Sequence, residues 1–302
     1  MDHTVLEIFQ VVAAELSVTR AAKRLGRVQS NVTTRIQQLE EELGVALFRR
    51  DGNRLTLSAE GERFLGYANR MLALADEARQ VLAPQAPSGT LRIGTMESTA
   101  AARLPGPLAA LHVQYPDVQL RISTAPSRQL IEQVGSGLID CAFAALPPCG
   151  EMASAADLEA AGLHGEPVFR EEILLVLPPG HGAVRKGEDI AVRSLAAFAQ
   201  GCSYRVLAEE WLGQGASPLD VQEVGSYHSM LACVAAGGCV SLVPRSVLEL
   251  LRDPPKLRTH VVAKVDTWLI HRNGYRTAAF NALRETLTPF MSKQQAGKGK
   301  SS

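Results

Sequence analysis

The 302-residue chain has no charge imbalance: 31 Lys and Arg offset 31 Asp and Glu, so any argument for nucleic-acid binding rests on where the charges lie. Paired cysteines are also missing. Cys141, Cys149, Cys202, Cys233 and Cys239 are odd in number and widely spread without a C-x-x-C, which excludes a disulfide framework or thiolate zinc site and fits a reducing cytoplasm. No stretch of eighteen apolar residues occurs, and MDHTVLEIFQ carries no basic residues ahead of an apolar run, so neither a membrane span nor a secretion signal is expected. Catalytic signatures are absent as well: there is no P-loop, no G-x-G-x-x-G after a strand, no G-x-S-x-G and no H-E-x-x-H, and the seven histidines are scattered. An enzyme, a bound cofactor and a metal site are therefore not expected. No internal repeat is visible.

What remains is an ordinary globular composition, 46% hydrophobic and 21% charged, in a chain long enough for two domains. Val5, Ile8, Phe9 and Val12 recur at helical spacing; Ser17 offers an N-cap to a short helix over Arg20 to Leu25, which Gly26 ends. A third helix spans Gln29 to Leu43 with Val32, Ile36, Leu39 and Leu43 on one stripe, and Gly44 stops it. Leu47, Phe48, Leu55 and Leu57 alternate around Gly52-Asn53 and predict a small β-wing. Between Arg20 and Leu39 lie Arg20, Lys23, Arg24, Arg27 and Arg35 without one Asp or Glu. Such a cluster suits phosphate contacts, and equally a solvated helix face.

From Ser58 to Ala83, Phe64, Ala68, Met71, Ala75, Ala78 and Leu82 are spaced 4, 3, 4, 3, 4, a heptad seam for helix pairing. The alternative is an amphipathic helix packed on its own domain. Pro84, Pro87 and Gly89 break that helix and supply a hinge, after which strands alternate with helices. LRIGTM (91–96), VQLRIS (118–123), DCAFAAL (140–146), EILLVLP (172–178), GCVSLVP (238–244) and TWLIHR (267–272) are strand candidates. Helical patterns around Leu108, Leu111 and Val113, then Leu130, Ile131 and Val134, fall between the first three. An α/β domain of mainly parallel sheet in two lobes follows. KQQAGKGKSS has nothing to bury, so a disordered tail is expected over 293–302.

The first three helices suit a helix-turn-helix. Ala21-Ala22 permits close crossing, Leu25 and Val32 lock the pair, and Gln29, Ser30, Asn31, Thr33, Thr34 and Arg35 occupy the first turns of a recognition helix. Gln and Arg make two-point contacts to adenine and guanine edges, while Ser and Thr adapt to bases or phosphates. At this level of detail SVTRAAKRLGRVQSNVTTRIQQLEEELGVALFRRDGNRLTLSAEG resembles the DNA-binding region of LysR-type transcriptional regulators. The Ala-Ala pair, Gln29-Ser30, Val32, Ile36 to Glu40, Glu41 to Arg50 and Leu57 to Glu62 are in register with that family. LVLPPGHGAV and VAAGGCVSLVPRSVL resemble its effector domain, whereas Gly137 to Asp140 departs from the usual G-x-L-D. Where the family often has Arg in the recognition helix this chain has Thr34, with Arg35 about 100° further round. Arg35 is thereby placed for a phosphate as readily as for a base. Arg20 belongs to the basic field, and by resemblance Arg49, Arg50 and Arg54 around the wing touch flanking backbone or the minor groove.

The resemblance implies an α/β effector domain of two lobes, like periplasmic solute-binding proteins, preceded by an all-α winged helix-turn-helix and a long linker helix. The divisions expected are 1–58 for the DNA-binding domain, 59–89 for the dimerising linker and hinge, and 90–292 for the effector domain, with lobe one at 90–165 plus 267–292 and lobe two at 166–266. A polar ligand would sit between the lobes, against strand ends and helix N-termini. Matching positions are Glu97, Ser98, Thr99, Ser127, Cys202, Ser203, Tyr204, Arg205, Ser226, Tyr227 and His228, although Ser127, Ser203 and Ser226 serve equally as N-caps. Arg205 suits a carboxylate and Glu97 an amine. GCSYR, GSYH and ESTAA look closest to a subgroup that includes putrescine-utilisation regulators, which points to an amine or amino-acid-related effector. Cys202 near Arg205 opens a second course, a thiol-based redox sensor; the bland alternative is a small buried residue. A stand-alone small-molecule binding protein would explain only residues 90–290. The expected partners are double-stranded DNA at a pseudo-palindromic promoter site, a small effector, further copies of the chain as homodimer or homotetramer, and RNA polymerase; no membrane is expected, and the location is the bacterial cytoplasm at the nucleoid.

Overall fold

A computed structural model describes all residues except 53, 83–86, 150–151, 214–218, 253–254 and 297–302. The chain divides into two compact units, Met1–Ala83 with Ser136–Leu138, and Pro84–Gly135 with Ile139–Ser302. The first holds α1 (His3–Glu15), α2 (Val18–Leu25), α3 (Gln29–Leu43), the hairpin β1 (Phe48–Asp51) and β2 (Arg54–Leu57), and α4 (Ala59–Val81). Local chemistry sets these ends. The Asp2 side chain accepts from the Val5 amide and Ser58 from Gly61, while Gly26 and Gly44 close α2 and α3 at φ of 63° and 70°. Ile8, Phe9, Val12, Ala21, Val32 and Leu47 are fully buried, and the Phe9 ring meets Phe48 at 5.5 Å and Phe64 at 5.1 Å. The bare methyl of Ala21 at that crossing is what lets α2 approach α3. Glu40 then anchors the wing: its Oε1 accepts from the amides of Leu47 at 2.7 Å and Phe48 at 3.1 Å.

Part of the expected helix seam packs within its own unit. Phe64, Ala68 and Met71 belong to the core of this first unit, so the N-terminal half of the seam is spent on the helix's own domain. The large apolar side chains α4 leaves exposed are Tyr67, Leu74 and Val81, themselves seven apart, with Leu82 beyond the helix.

The second unit contains β3 (Gly89–Thr95), α5 (Glu97–Ala102), α6 (Pro105–Gln114), β4 (Val118–Thr124), α7 (Ser127–Gly135), β5 (Cys141–Ala145), α8 (Ala155–Ala160), β6 (Leu163–Leu177), β7 (Ser194–Ala197), α9 (Ser203–Leu212), β8 (Asp220–Glu223), α10 (Tyr227–Ala235), β9 (Ser241–Pro244), α11 (Arg245–Leu248), β10 (Arg258–Arg272) and α12 (Ala278–Ala296). A six-stranded sheet runs β4-β3-β5-β10-β6-β9, and β7 pairs β8 in a second, smaller sheet. The sheet is less parallel than expected: β3 pairs β4 and β5 in parallel, but β10 is antiparallel to both β5 and β6, and β9 is antiparallel to β6. The reason is the connection between lobes, since a chain that leaves along β6 must come back along β10 in the opposite sense. Each of these strands is 15 residues long, so each serves both lobes.

Sequence patterning caught only one half of each long strand. In β6 the early half contains Gly165 and Pro167; at Pro167 the strand pairs β10 alone, because β9 reaches only from Ile173 to Val176, and an unpaired edge tolerates the missing N–H. A register shift between Thr267 and Trp268 marks the same level of β10. Lobe one packs Leu91, Ile93, Leu104, Phe143, Phe280 and Leu283 under α6 and α12; lobe two packs Tyr227, Met230, Val234 and Val243 under α10. The last helix continues to Ala296, past the expected start of a tail at 293; residues 297–302 and the hinge positions 83–86 lie outside the described residues. No helix among the described residues is long and apolar enough to cross a membrane.

Candidate functional site

On α3 the residues Gln29, Ser30, Asn31, Thr34 and Arg35 are exposed and Thr33 is half-buried, as a helix with its apolar stripe turned inward requires. Helix geometry also spends part of their hydrogen-bonding capacity. The Thr33 hydroxyl donates to the Gln29 carbonyl and the Thr34 hydroxyl to the Ser30 carbonyl, each at 3.0 Å, and the Thr19 hydroxyl donates to Gln29 Oε1 at 3.0 Å. The Gln29 amide therefore faces outward as a donor. Val28 precedes the helix without a capping side chain and is 72% exposed, leaving the first-turn N–H groups open to an anion.

The basic field is smaller than a count of charges suggests. Glu15, outside the acid-free window, folds back onto it, pairing with Arg20 at 3.3 Å and Arg24 at 3.0 Å. The bond from Arg24 first, and that from Arg20 with it, hold the Glu15 carboxyl below its usual value. Lys23, Arg27 and Arg35 are exposed with no ion pair among the described residues. Arg50 and Arg54 are exposed on the wing.

In the second unit a cavity of about 420 Å³ opens between the lobes, lined by Met96, Glu97 and Ser98 after β3, Thr124 to Ser127 after β4, Phe198, Ala199, Cys202 and Tyr204 after β7, and Glu223, Val224, Gly225 and Tyr227 after β8. Six expected residues line it: Glu97, Ser98, Ser127, Cys202, Tyr204 and Tyr227. Five do not. Thr99 is buried beneath it; Ser203 is turned into the protein, donating to the Ala145 carbonyl at 2.6 Å; Ser226 accepts from the Ser229 amide as the N-cap of α10; His228 is exposed outside the wall. Arg205 is held by Glu209 at 2.8 Å, Glu223 at 3.3 Å and the Phe198 carbonyl at 3.2 Å. Ser203 and Arg205 face instead a second cavity of about 640 Å³ with Arg128, Cys149 and Glu209. Phe198 and Glu223 escaped the sequence reading because β7 and β8 are four-residue strands with no long apolar run.

The electrostatics of the cavity follow from burial. Desolvation pushes the Glu97 carboxyl up, opposed by the field of His228, and Glu97 Oε2 has no hydrogen-bond partner. Burial also raises the Tyr204 and Tyr227 hydroxyls. It raises the Cys202 thiol as well, against the weaker pull of the Arg205 and Tyr204 amides, which is opposite to the activation an oxidant-sensing cysteine needs. All five cysteines are free, and no His, Cys, Asp and Glu cluster suited to a metal occurs among the described residues.

Residues 3–62 match the bacterial regulatory helix-turn-helix proteins of the lysR family, and residues 84–292 match the LysR substrate binding domain. The chain belongs to the LysR family of transcriptional regulators. Two Bacillus subtilis relatives support this: the uncharacterised HTH-type regulator YusT is 34% identical over 296 residues, 96% of each chain, and the regulator GltR is 34% identical over 278 residues, 90% of each. The regulator CzcR of Bacillus thuringiensis is 35% identical over 294 residues, covering 95% of this chain and 97% of its own. Among solved structures, a full-length OxyR variant from Pseudomonas aeruginosa superposes with a TM-score of 0.69 at 22% identity, covering 96% of this chain and 94% of its own. CbnR, a LysR family transcriptional regulator, gives 0.65 at 23% identity over 96% and 99% of the two chains. Both share the fold of this LysR-type regulator, which carries an effector-binding domain and is not an enzyme.

Proposed function

We propose that this LysR-type regulator acts in the cytoplasm as a homodimer or homotetramer, reading a pseudo-palindromic promoter with paired recognition helices and answering to a small amine or amino-acid-related metabolite between its effector lobes. The observation that carries the DNA half is the exposed face of α3, with Gln29, Ser30, Asn31, Thr34 and Arg35 presented together beside unpaired Lys23 and Arg27. Arg50 and Arg54 extend that surface to flanking phosphates; Arg20 contributes less, being shared with Glu15. The CbnR fold has been solved bound to its target DNA, with a TM-score of 0.63 to this chain. Residues 1–58 act as the DNA-binding domain, 59–89 as linker and 90–292 as sensor.

Pairing runs along the exposed Tyr67, Leu74 and Val81 of α4, which sets two α3 helices about one turn of duplex apart. Effector binding works by population shift: the ligand favours one lobe closure and thereby one spacing of the DNA-binding pairs. RNA polymerase reads the outcome. The test is capture of genomic fragments by purified protein, with and without a pool of amines and carboxylates. A pseudo-palindromic site enriched near the protein's own gene, and altered by one pool, supports the proposal; no enrichment over random fragments overturns it.

A further inference from the structure

The interlobe cavity, taken as the effector site proposed above, has an unusual charge inventory. Two carboxylates line it, Glu97 and Glu223, and no Lys or Arg does. Arg205, which neighbours the lining residue Tyr204, is committed outside the wall to Glu209, Glu223 and a backbone carbonyl. Glu223 is thus already compensated by an ion pair, whereas Glu97 feels the field of His228 from outside the wall and its Oε2 is buried with no hydrogen-bond partner. A buried carboxylate oxygen without a donor is costly, and a cationic ligand removes that cost.

We propose that the cavity binds a singly charged primary ammonium on an apolar body, seated on Glu97, and that it rejects carboxylates and diamines. One lining carboxylate without an ion pair calls for one positive charge; a second ammonium would have to displace Arg205 from Glu223. Three donors on a primary ammonium match the acceptors on hand, since Ser98 and Tyr204 line the same cavity, are 3% and 4% exposed as residues, and their hydroxyls reach only other hydroxyls, those of each other, Thr267 and Tyr227, short of full hydrogen-bond geometry. The body of the ligand meets Phe198 and Tyr227, which pack edge to face at 5.0 Å and offer ring surface to the carbon next to the charged nitrogen. A carboxylate finds the opposite arrangement: Glu97 repels it and no Lys or Arg of the wall receives it. Burial raises the Glu97 carboxyl, and an ammonium bound there should bring it down again.

The test is calorimetry on the full-length protein with butylamine, phenethylamine, 1,4-diaminobutane, phenylalanine and phenylacetate. Expected are sub-millimolar binding of at least one of the two monoamines, tenfold or weaker binding of the diamine, and none of the acid. Glu97→Gln should lower monoamine affinity about a hundredfold, with cooperative thermal unfolding retained as proof of folding. Glu97→Asp, which keeps the charge on a shorter arm, should recover part of the loss. The proposal is overturned if neither monoamine binds, if the diamine or phenylacetate binds more tightly, or if Glu97→Gln binds amine like the parent. DNA capture separates this from the wider reading: amine binding without DNA enrichment sinks the regulator mechanism alone, and enrichment without amine binding sinks this proposal alone.

Discussion

The outer face of α3 and the interlobe cavity both carry hydroxyls and single charges, in opposite ways. On α3 they sit within seven consecutive positions and face solvent, while their apolar neighbours Val32, Ile36 and Leu39 hold the helix down. Around the cavity they come from four separate stretches of chain and are mostly buried, with the Glu97 Oε2 left without a partner. A partner as large as DNA is met by a surface that is already solvated; a small ligand is met by groups whose desolvation has been borne by the fold in advance. The first arrangement needs only a helix, the second a whole tertiary structure.

That contrast can be broken from either side. Phe9→Ala removes the ring wedged between Phe48 and Phe64, and should destabilise the first unit by about 3–5 kcal/mol. DNA affinity is then lost while calorimetric ligand binding persists; loss of both would mean that the two units do not fold independently. Arg103→Ala strikes the second unit. It leaves Glu171, whose side chain is 2% exposed, with Ser246 at 2.8 Å and without its guanidinium, for an expected loss of about 3–5 kcal/mol in thermal unfolding. Adding Glu171→Gln should recover part of it.

Smaller effects sharpen the comparison. Arg35→Ala should lower DNA affinity about tenfold and reduce the salt slope by about one if the side chain meets a phosphate, as anisotropy across a salt series will read. An unchanged slope with relaxed sequence preference would instead make it a base contact. Ser226→Ala should cost about 1 kcal/mol in unfolding as a lost N-cap and leave ligand affinity as it was, since the side chain lies outside the cavity wall. The smallest effect is on pH. Burial raises the Glu97 carboxyl, so its contribution favours the unliganded fold at low pH and is lost as pH rises through the raised value; Glu97→Gln should flatten that part of the stability profile.

Legibility followed the range of the interactions. Helix stripes, the cap at Ser17 and the stops at Gly26 and Gly44 were readable because each depends on neighbours within four residues. Glu15 was not read as a partner of Arg20 and Arg24, although only five and nine residues away, because the bend between α1 and α2 brings it back. Six of the fifteen residues of the cavity wall were readable from segments that follow strands. Phe198 and Glu223 were missed because β7 and β8 are short and take their stability from pairing with each other.

The amino-acid sequence by itself determined the family, the helix-turn-helix and the two-lobed α/β plan, because periodicity and capping are local and the motifs are contiguous. Only the tertiary structure decided which carboxylate is free. Arg205 and Glu97 stand 108 positions apart in the chain and looked equally suited to a ligand; packing ties the first to Glu209 and Glu223 and leaves the second facing the cavity. Charge compensation depends on distances of a few ångströms, and no spacing along the chain fixes those.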